Sequence, residues 1–257
     1  MATPPMLRVV EREYRVWVKL WRGLAFTTFV QPALYLAAMG VGLGQFVDAH
    51  SGGVNGLTYL EFVAPGLLVA SAMQLAAGES MWPVLAGVKW MRFYEGVIST
   101  PIEAGQIFGG FVMWTAIRAA IGSSAFLLVA ALLGAVPSWW GFLAIPAASL
   151  TAAAFAAPIA AFSIMQETDV AFPMIMRLAV LPLFLFSGTF FPISQLPPVL
   201  RPLAALSPLW HGVELARDAT TGTGNPLAIV VHIAFLVACI AAGSWWGVRR
   251  FNRRLHS

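Results

Sequence analysis

Six stretches of this chain are apolar for long enough to cross a lipid bilayer, and nothing else in it constrains the fold as much. A helix needs about 20 apolar residues to cover roughly 30 Å of hydrocarbon. On that rule the sequence predicts spans near 24–46, 60–86, 106–134, 139–165, 170–190 and 225–248. The balance of residues agrees: 59% are hydrophobic and 10% charged, where soluble domains carry about 25% charged residues. Hydrocarbon offers no partner to a backbone amide, so a segment that crosses it must satisfy its own hydrogen bonds. The expected fold class is an all-α polytopic membrane protein, a single transmembrane domain over residues 1–257. Prolines inside several spans, such as Pro65 and Pro158, are tolerable there because neighbouring helices can cover the freed carbonyls.

Charge sets the orientation. Residues 1–23, 87–105 and 249–257 hold eleven of the fifteen Lys and Arg residues. Six spans put those three segments on one side, and basic flanks stay in the cytoplasm. Both termini are therefore expected to be cytoplasmic, in the cell inner (plasma) membrane. The excess of +4 is gathered beside apolar runs and gives no reason to expect nucleic acid as a partner. The N-terminus is amphipathic rather than basic-then-apolar, so no signal peptide is expected.

Residues 6–22, MLRVVEREYRVWVKLWR, place Leu7, Val10, Tyr14, Trp17, Val18 and Trp21 on one helical face and basic groups on another. That pattern fits an amphipathic helix lying in the interface, and equally a simple cationic anchor. Residues 87–105 form the longest cytoplasmic connection. There Lys89, Arg92, Glu95 and Glu103 alternate with Trp90, Phe93, Tyr94, Val97 and Ile98. A short helix over 89–103 with an aromatic face would dock in a groove on a soluble partner; the same loop would also fold back on the headgroups.

The tract SGTFFPISQLPPVLRPLAALSPLWH, residues 187–211, is apolar yet broken by Pro192, Pro197, Pro198, Pro202 and Pro208. Each proline removes a donor and disfavours helix in the residue before it. Broken backbone at membrane depth must be buried or line water. The expectation is a re-entrant helical hairpin over 187–220, with helices near 192–206 and 208–220, ahead of the last span. An ordinary loop on the headgroups is the alternative.

Glu79, Arg118 and Arg177 fall inside spans two, three and five. Ionisable groups there face the bundle interior or an aqueous cavity. Glu79 and Arg177 share a depth of about 10 Å from the cytoplasmic edge, whereas Arg118 lies roughly 18 Å in. Matched depth favours a Glu79–Arg177 pair, with Glu79–Arg118 reachable. A structural bridge and a polar wall for a passing headgroup both fit. Catalysis has no footing: His50, His211, His232 and His256 lack motif spacing, and a lone Cys239 fits an ordinary packing residue. Neither a metal site nor a G-x-x-x-x-G-K-[ST] loop for ATP phosphates is present in the sequence.

Three runs carry a family resemblance: APGLLVASAMQ at 64–74 with GES at 78–80, FYEGVISTPI at 93–102, and FLFSGTFFPISQLPPVLRPLAALSPLWHGVELAR at 184–217. In order and extent they resemble the permease subunits of ABC-2 type exporters, nearest the branch with nodulation-factor and daunorubicin-resistance permeases. The most specific element is S-G-x-x-F-P-x-x-x-L-P, with Ser187, Gly188, Phe191, Pro192, Leu196 and Pro197, followed by Pro208. The resemblance implies six spans, an interfacial N-terminal helix, a coupling helix containing Glu95, Thr100 and Pro101, and re-entrant helices before span six. It also implies two such permeases, identical or homologous, over two ABC ATPase subunits that hold ATP and Mg, this chain binding no cofactor itself. Glu79 falls at an acidic position of the family and Arg118 at a basic one of some relatives. The expected function is export of an amphipathic or lipid-linked substrate or drug, as in multidrug resistance or glycolipid export, among membrane lipids. An ion-gradient-coupled carrier is the rival, and a lipid-modifying enzyme a more distant one.

Overall fold

Thr58 opens the central helix with a reciprocal cap: its hydroxyl accepts from the Glu61 amide at 3.3 Å, and the Glu61 carboxylate accepts from the Thr58 amide at 2.8 Å. Two donors that helix geometry would orphan are thereby satisfied. In this computed structural model, which describes residues 4–255, the side chains of residues 20–33, 41, 51 and 95 lie outside the described set. Every element among the described residues is helical apart from one isolated bridge between Val54 and Leu57.

The chain begins with α1 (Pro5–Leu36), a π-helical stretch Ala37–Leu43 and α2 (Gly44–Ser51). Then follow α3 (Tyr59–Lys89), α4 (Phe93–Ile98), α5 (Ala104–Leu132), and α6 (Ala144–Ser163) behind a 3-10 turn at Trp139–Leu143. Next come α7 (Ala171–Ile175), a π-helical stretch Met176–Val180 and α8 (Leu181–Phe186). The last elements are α9 (Arg201–Ala205), α10 (Pro208–Thr221) and α11 (Pro226–Leu255).

Among the described residues four helices are long and apolar enough to span: Tyr59–Lys89, Ala104–Leu132, Trp139–Ser163 and Pro226–Leu255. They lie close to the second, third, fourth and sixth expected segments. Their burial differs sharply. The apolar window of α3 is 72% buried inside the protein and that of α11 only 17%, so α3 is the hub and α11 faces outward. A helix apolar on all sides suits a central position.

Small residues bring the helices close. The alanines of α6 leave room for Gly243 of α11, where a Cβ would stand 2.8 Å from the Pro158 ring and 2.9 Å from the Ala157 methyl. Gly212 of α10 meets Thr151 of α6 and Val69 of α3 in the same way. Close approach of this kind drives association where lipid tails remove the hydrophobic incentive.

Several expectations are corrected. The expected first span, 24–46, rests largely on side chains outside the described set, but the backbone from Pro5 to Ser51 is helical without a break. Residues 6–22 are therefore not a separate helix. They run alongside α5, with Val9 buried against Gly110 and Trp114 flanked by the Tyr14 and Trp17 rings at 6.3 and 6.5 Å. Leu7, Tyr14 and Val18 of the expected apolar face are exposed.

The expected fifth span, 170–190, is a 16-residue apolar helix, Ala171–Phe186, with a π-helical middle. Pro182 follows that stretch. A proline lacks the amide that would close the helical turn before it, and a wider turn relieves its ring from the preceding carbonyls. Expected helix at 89–103 contracts to the six residues of α4: Lys89 ends α3, Arg92 sits at φ 45°, and Glu103 caps α5. Expected helix at 192–206 reduces to a 3-10 turn at Ile193–Gln195 and α9, because four prolines interrupt it.

Candidate functional site

At the end of the bundle that carries both termini, α4 is held by three helices. Tyr94 is buried with its ring edge over Gly87 of α3, where a Cβ would come within 2.6 Å of it, and its ring meets Phe251 of α11 edge-on at 5.7 Å. Burial pushes the Tyr94 phenol well above its ordinary value, Glu13 adding to the effect and Arg12 opposing it. The Arg12 guanidinium of α1 stacks 3.4 Å over the Phe93 ring, a cation–π contact. Val97 and Ile98 pack on the same cluster. The aromatic face of 93–98 thus points inward, contrary to the expected partner-facing orientation. Exposed instead are Trp90, Met91, Arg92, Gly96, Thr100 and Pro101.

The other expected residues at this end divide. Lys89 forms an ion pair with Glu167, which also receives Arg254 of α11 at 2.7 Å. Those partners, the Lys89 hydrogen bond first, hold the Glu167 carboxyl below its ordinary value. Thr100 donates its hydroxyl to the Val97 carbonyl at 2.6 Å, closing the turn after α4. Glu95 belongs to α4, and its side chain is outside the described residues.

Deeper in the bundle Glu79 pairs with Arg118, not with Arg177. Both members of the pair retain about 20% exposure, so the bridge is largely enclosed. Depth alone misled the expectation, because α3 packs against α5 and α6 while Arg177 points outward from its π-helical stretch. Arg177 has no ion pair among the described residues.

The far end is organised around Arg217 of α10. Its guanidinium donates to the Gly188 carbonyl at 2.7 Å, pairs with Glu214 at 2.7 Å, and stacks 3.9 Å over the Phe62 ring of α3. Gly188 adopts φ 83°, a conformation that glycine accepts without strain. The Ser187 hydroxyl donates to Ser207 at 3.1 Å, and Thr189 lies where Gly66 lacks a side chain. Arg201 donates to the Leu196 and Ser194 carbonyls. Leu196 is buried, Phe191 stands edge-on to Phe186 at 6.4 Å, and Pro192 precedes the 3-10 turn. Pro197 starts the bend into α9, and Pro208 is the first residue of α10 behind a Ser207 cap. Three carbonyls of the broken tract, those of Gly188, Ser194 and Leu196, are thus met by arginine side chains.

The ABC-2 type transporter family pattern matches residues 6–220, from the first turn of α1 to the end of α10. This chain belongs to the ABC-2 type transporter family. Nodulation protein J of Rhizobium leguminosarum bv. viciae is 30% identical over 97% of this chain and 94% of its own length. Its counterpart from Sinorhizobium fredii is 31% identical over 98% and 94% respectively. The inner membrane transport permease YadH of Escherichia coli is 25% identical over 91% of this chain and 87% of its own. The chain is accordingly a membrane-embedded transport permease, the non-enzymatic subunit of an ABC transporter, and the family implies an ATPase partner.

Two features of this permease escaped the sequence reading. Arg217 falls within the expected helix 208–220, where its spacing of three from Glu214 was a usable signal for the pair, but neither its contact with the Gly188 carbonyl nor its stacking on Phe62 was expected. His211 and His232, 21 residues apart and apparently dispersed, meet with their Nδ1 atoms 2.7 Å apart between α10 and α11. Both are buried, and His211 stacks on Phe235 at 3.9 Å. A hydrogen bond between two imidazole nitrogens needs one donor and one acceptor, so at least one ring is neutral. No sequence spacing encodes such a pair, because two separate helices supply it.

Proposed function

We propose that this permease is one half of an ATP-driven exporter, two copies or two homologous permeases standing over two ATPase subunits. Its cargo is an amphipathic or lipid-linked molecule, a glycolipid or drug, moved out of the cytoplasm or the inner leaflet. Six spans cross the cell membrane with both termini cytoplasmic, and ATP and Mg belong to the ATPase. The basic flanks support the orientation.

The observation that carries this reading is the three-way clamp on α4. A push on the exposed rim Trp90–Arg92 and Thr100–Pro101 reaches α3 through Tyr94 on Gly87, α11 through Tyr94 on Phe251, and α1 through Phe93 under Arg12. The Lys89–Glu167–Arg254 bridge joins the ends of α3 and α11. A six-residue element so held passes displacement on instead of absorbing it. Tilting of these helices opens a route between two permeases, and the 187–220 element shapes its outer end.

Reconstitution with the cognate ATPases in liposomes tests the proposal. Wild type should couple ATP hydrolysis to export of a fluorescent amphiphile. Phe93→Ala should insert and bind the ATPase but hydrolyse ATP without export. Export that persists without any ATPase, driven by an imposed ion gradient, would overturn the reading.

A further inference from the structure

A cavity of about 370 Å³ opens at the end of the bundle away from the termini, between α6, α10 and α11. That volume lies in the range of small-ligand sites. Trp140, Leu143, Ala147, Leu150, Ile229 and Ile233 supply its apolar wall. Trp140, Leu143 and Ile233 are exposed, so the cavity opens sideways toward lipid.

Its polarity is graded. Trp140 lies next to the highly exposed Trp139, in the position of an interfacial aromatic girdle. Asp218, Gly222 and Gly224 line the cavity at that same end. Leu150 lies six residues into α6 and Ile233 seven into α11, so the apolar wall reaches about 10 Å deeper.

Among the described residues of the wall Asp218 is the only ionisable group. Its carboxylate receives no hydrogen bond among the described residues, and the neighbouring Arg217 is committed to Glu214, Gly188 and Phe62. Gly224 stands over the carboxylate: a Cβ there would be 3.3 Å from the Asp218 Cγ. Burial, and Glu214 close by, push the Asp218 carboxyl up to about 6 against the pull of Arg217. A half-buried acid lacking a donor is costly at this depth and is relieved by a cation brought to it.

We infer that this cavity is a binding site for a membrane lipid whose headgroup carries a protonated amine, the ammonium donating to Asp218 and an acyl chain lying against Leu150 and Ile233. The fit rests on charge and on the direction of the polarity gradient. The cavity shares α10 with the element at the outer end of the proposed route but lies at the opposite end of the bundle from α4, so its occupancy is read without the ATPase.

The test uses the full-length permease in nanodiscs holding phosphatidylethanolamine or phosphatidylglycerol with the same diazirine-bearing acyl chain. Labelled peptides are mapped by mass spectrometry. The amine lipid should label peptides covering 139–151 and 226–236, and phosphatidylglycerol should label them far less. Asp218→Asn should cut that labelling about tenfold, the worth of one charge-assisted hydrogen bond. Ala147→Leu and Ala219→Leu, which fill the cavity and keep the carboxylate, should also suppress it, while labelling along the outer face of α11 beyond residue 237 stays unchanged as an internal control. Equal labelling by both lipids, unchanged labelling in Asp218→Asn, or labelling by a dodecylammonium probe alone overturns the inference.

Discussion

Arg217 reaches across 29 residues to the Gly188 carbonyl at 2.7 Å and lays the same guanidinium on the Phe62 ring at 3.9 Å. One side chain therefore joins the proline-broken tract, α10 and the hub helix. Replacing it with methionine keeps much of the volume but leaves Glu214 and the Gly188 carbonyl without a donor. The expected loss is about 3–5 kcal/mol, the usual result of removing one partner from an enclosed pair. Lysine should not restore it, because an ammonium cannot stack and fork together. Thermal melts of the solubilised protein, with limited proteolysis between 187 and 207, measure both variants. A lysine variant that melts like wild type would show that the planar contacts do not hold the tract.

The Glu79–Arg118 bridge predicts a specific pattern of rescue. Glu79→Arg and Arg118→Glu should each reduce the yield of folded protein in membranes. Together they should recover most of it, with a coupling of about 1–3 kcal/mol. Reversing Glu79 and Arg177 together should recover nothing. Melting of the four variants by a double-mutant cycle checks both statements.

Gly66 and Gly78 lie on the same helix and should respond oppositely to alanine. At Gly66 the new methyl meets the Thr189 backbone at 2.7 Å, and a backbone atom cannot swing aside. A cost of about 1–3 kcal/mol is expected there. Gly78 has open space around its would-be Cβ, and alanine there should be neutral or stabilising by up to about 1 kcal/mol. Urea or thermal unfolding of the two variants, compared side by side, decides it.

Glu167 gives a pH signature at the terminus end. Lys89 and Arg254 hold its carboxyl below the ordinary 4.5. A depressed acid contributes stability that is complete above the unfolded value and is lost as pH falls through the folded one. Wild type should therefore keep this contribution from pH 7 down to about 5 and lose it below 4.5, so Glu167→Gln differs from wild type at pH 7 and converges with it in acid. Because Glu167 is exposed, 1 M salt should shrink the difference. A difference between the two proteins that is the same at pH 7 and in acid would refute the assignment.

What the sequence made legible follows from what one-dimensional patterns contain. Run length and hydropathy located α3, α5, α6 and α11 to within a few residues, apart from the C-terminal extension of α11 to Leu255. Prolines marked the tract that cannot be one helix. The patterns failed where a second element decides the outcome. Alternating charge and aromatic residues over 89–103 suggested an outward aromatic face, yet Gly87 and Phe251 offer Tyr94 a pocket on the inside. Depth along separate helices proposed Arg177 for Glu79, while lateral packing chose Arg118. The reach of Arg217 to Gly188 and Phe62, the His211–His232 pair and the Asp218 cavity are products of packing between elements, which no local spacing records.

The helix Ala171–Phe186 is 16 residues long, about 24 Å end to end. In the proposed six-span arrangement it would be the fifth span, roughly 6 Å short of an average hydrocarbon layer. Lipids along that flank must compress to meet it, at fractions of a kcal/mol per Å. On that arrangement the bilayer would be thinnest on one side of the molecule, and the distance an amphiphile travels between leaflets would be shortest there.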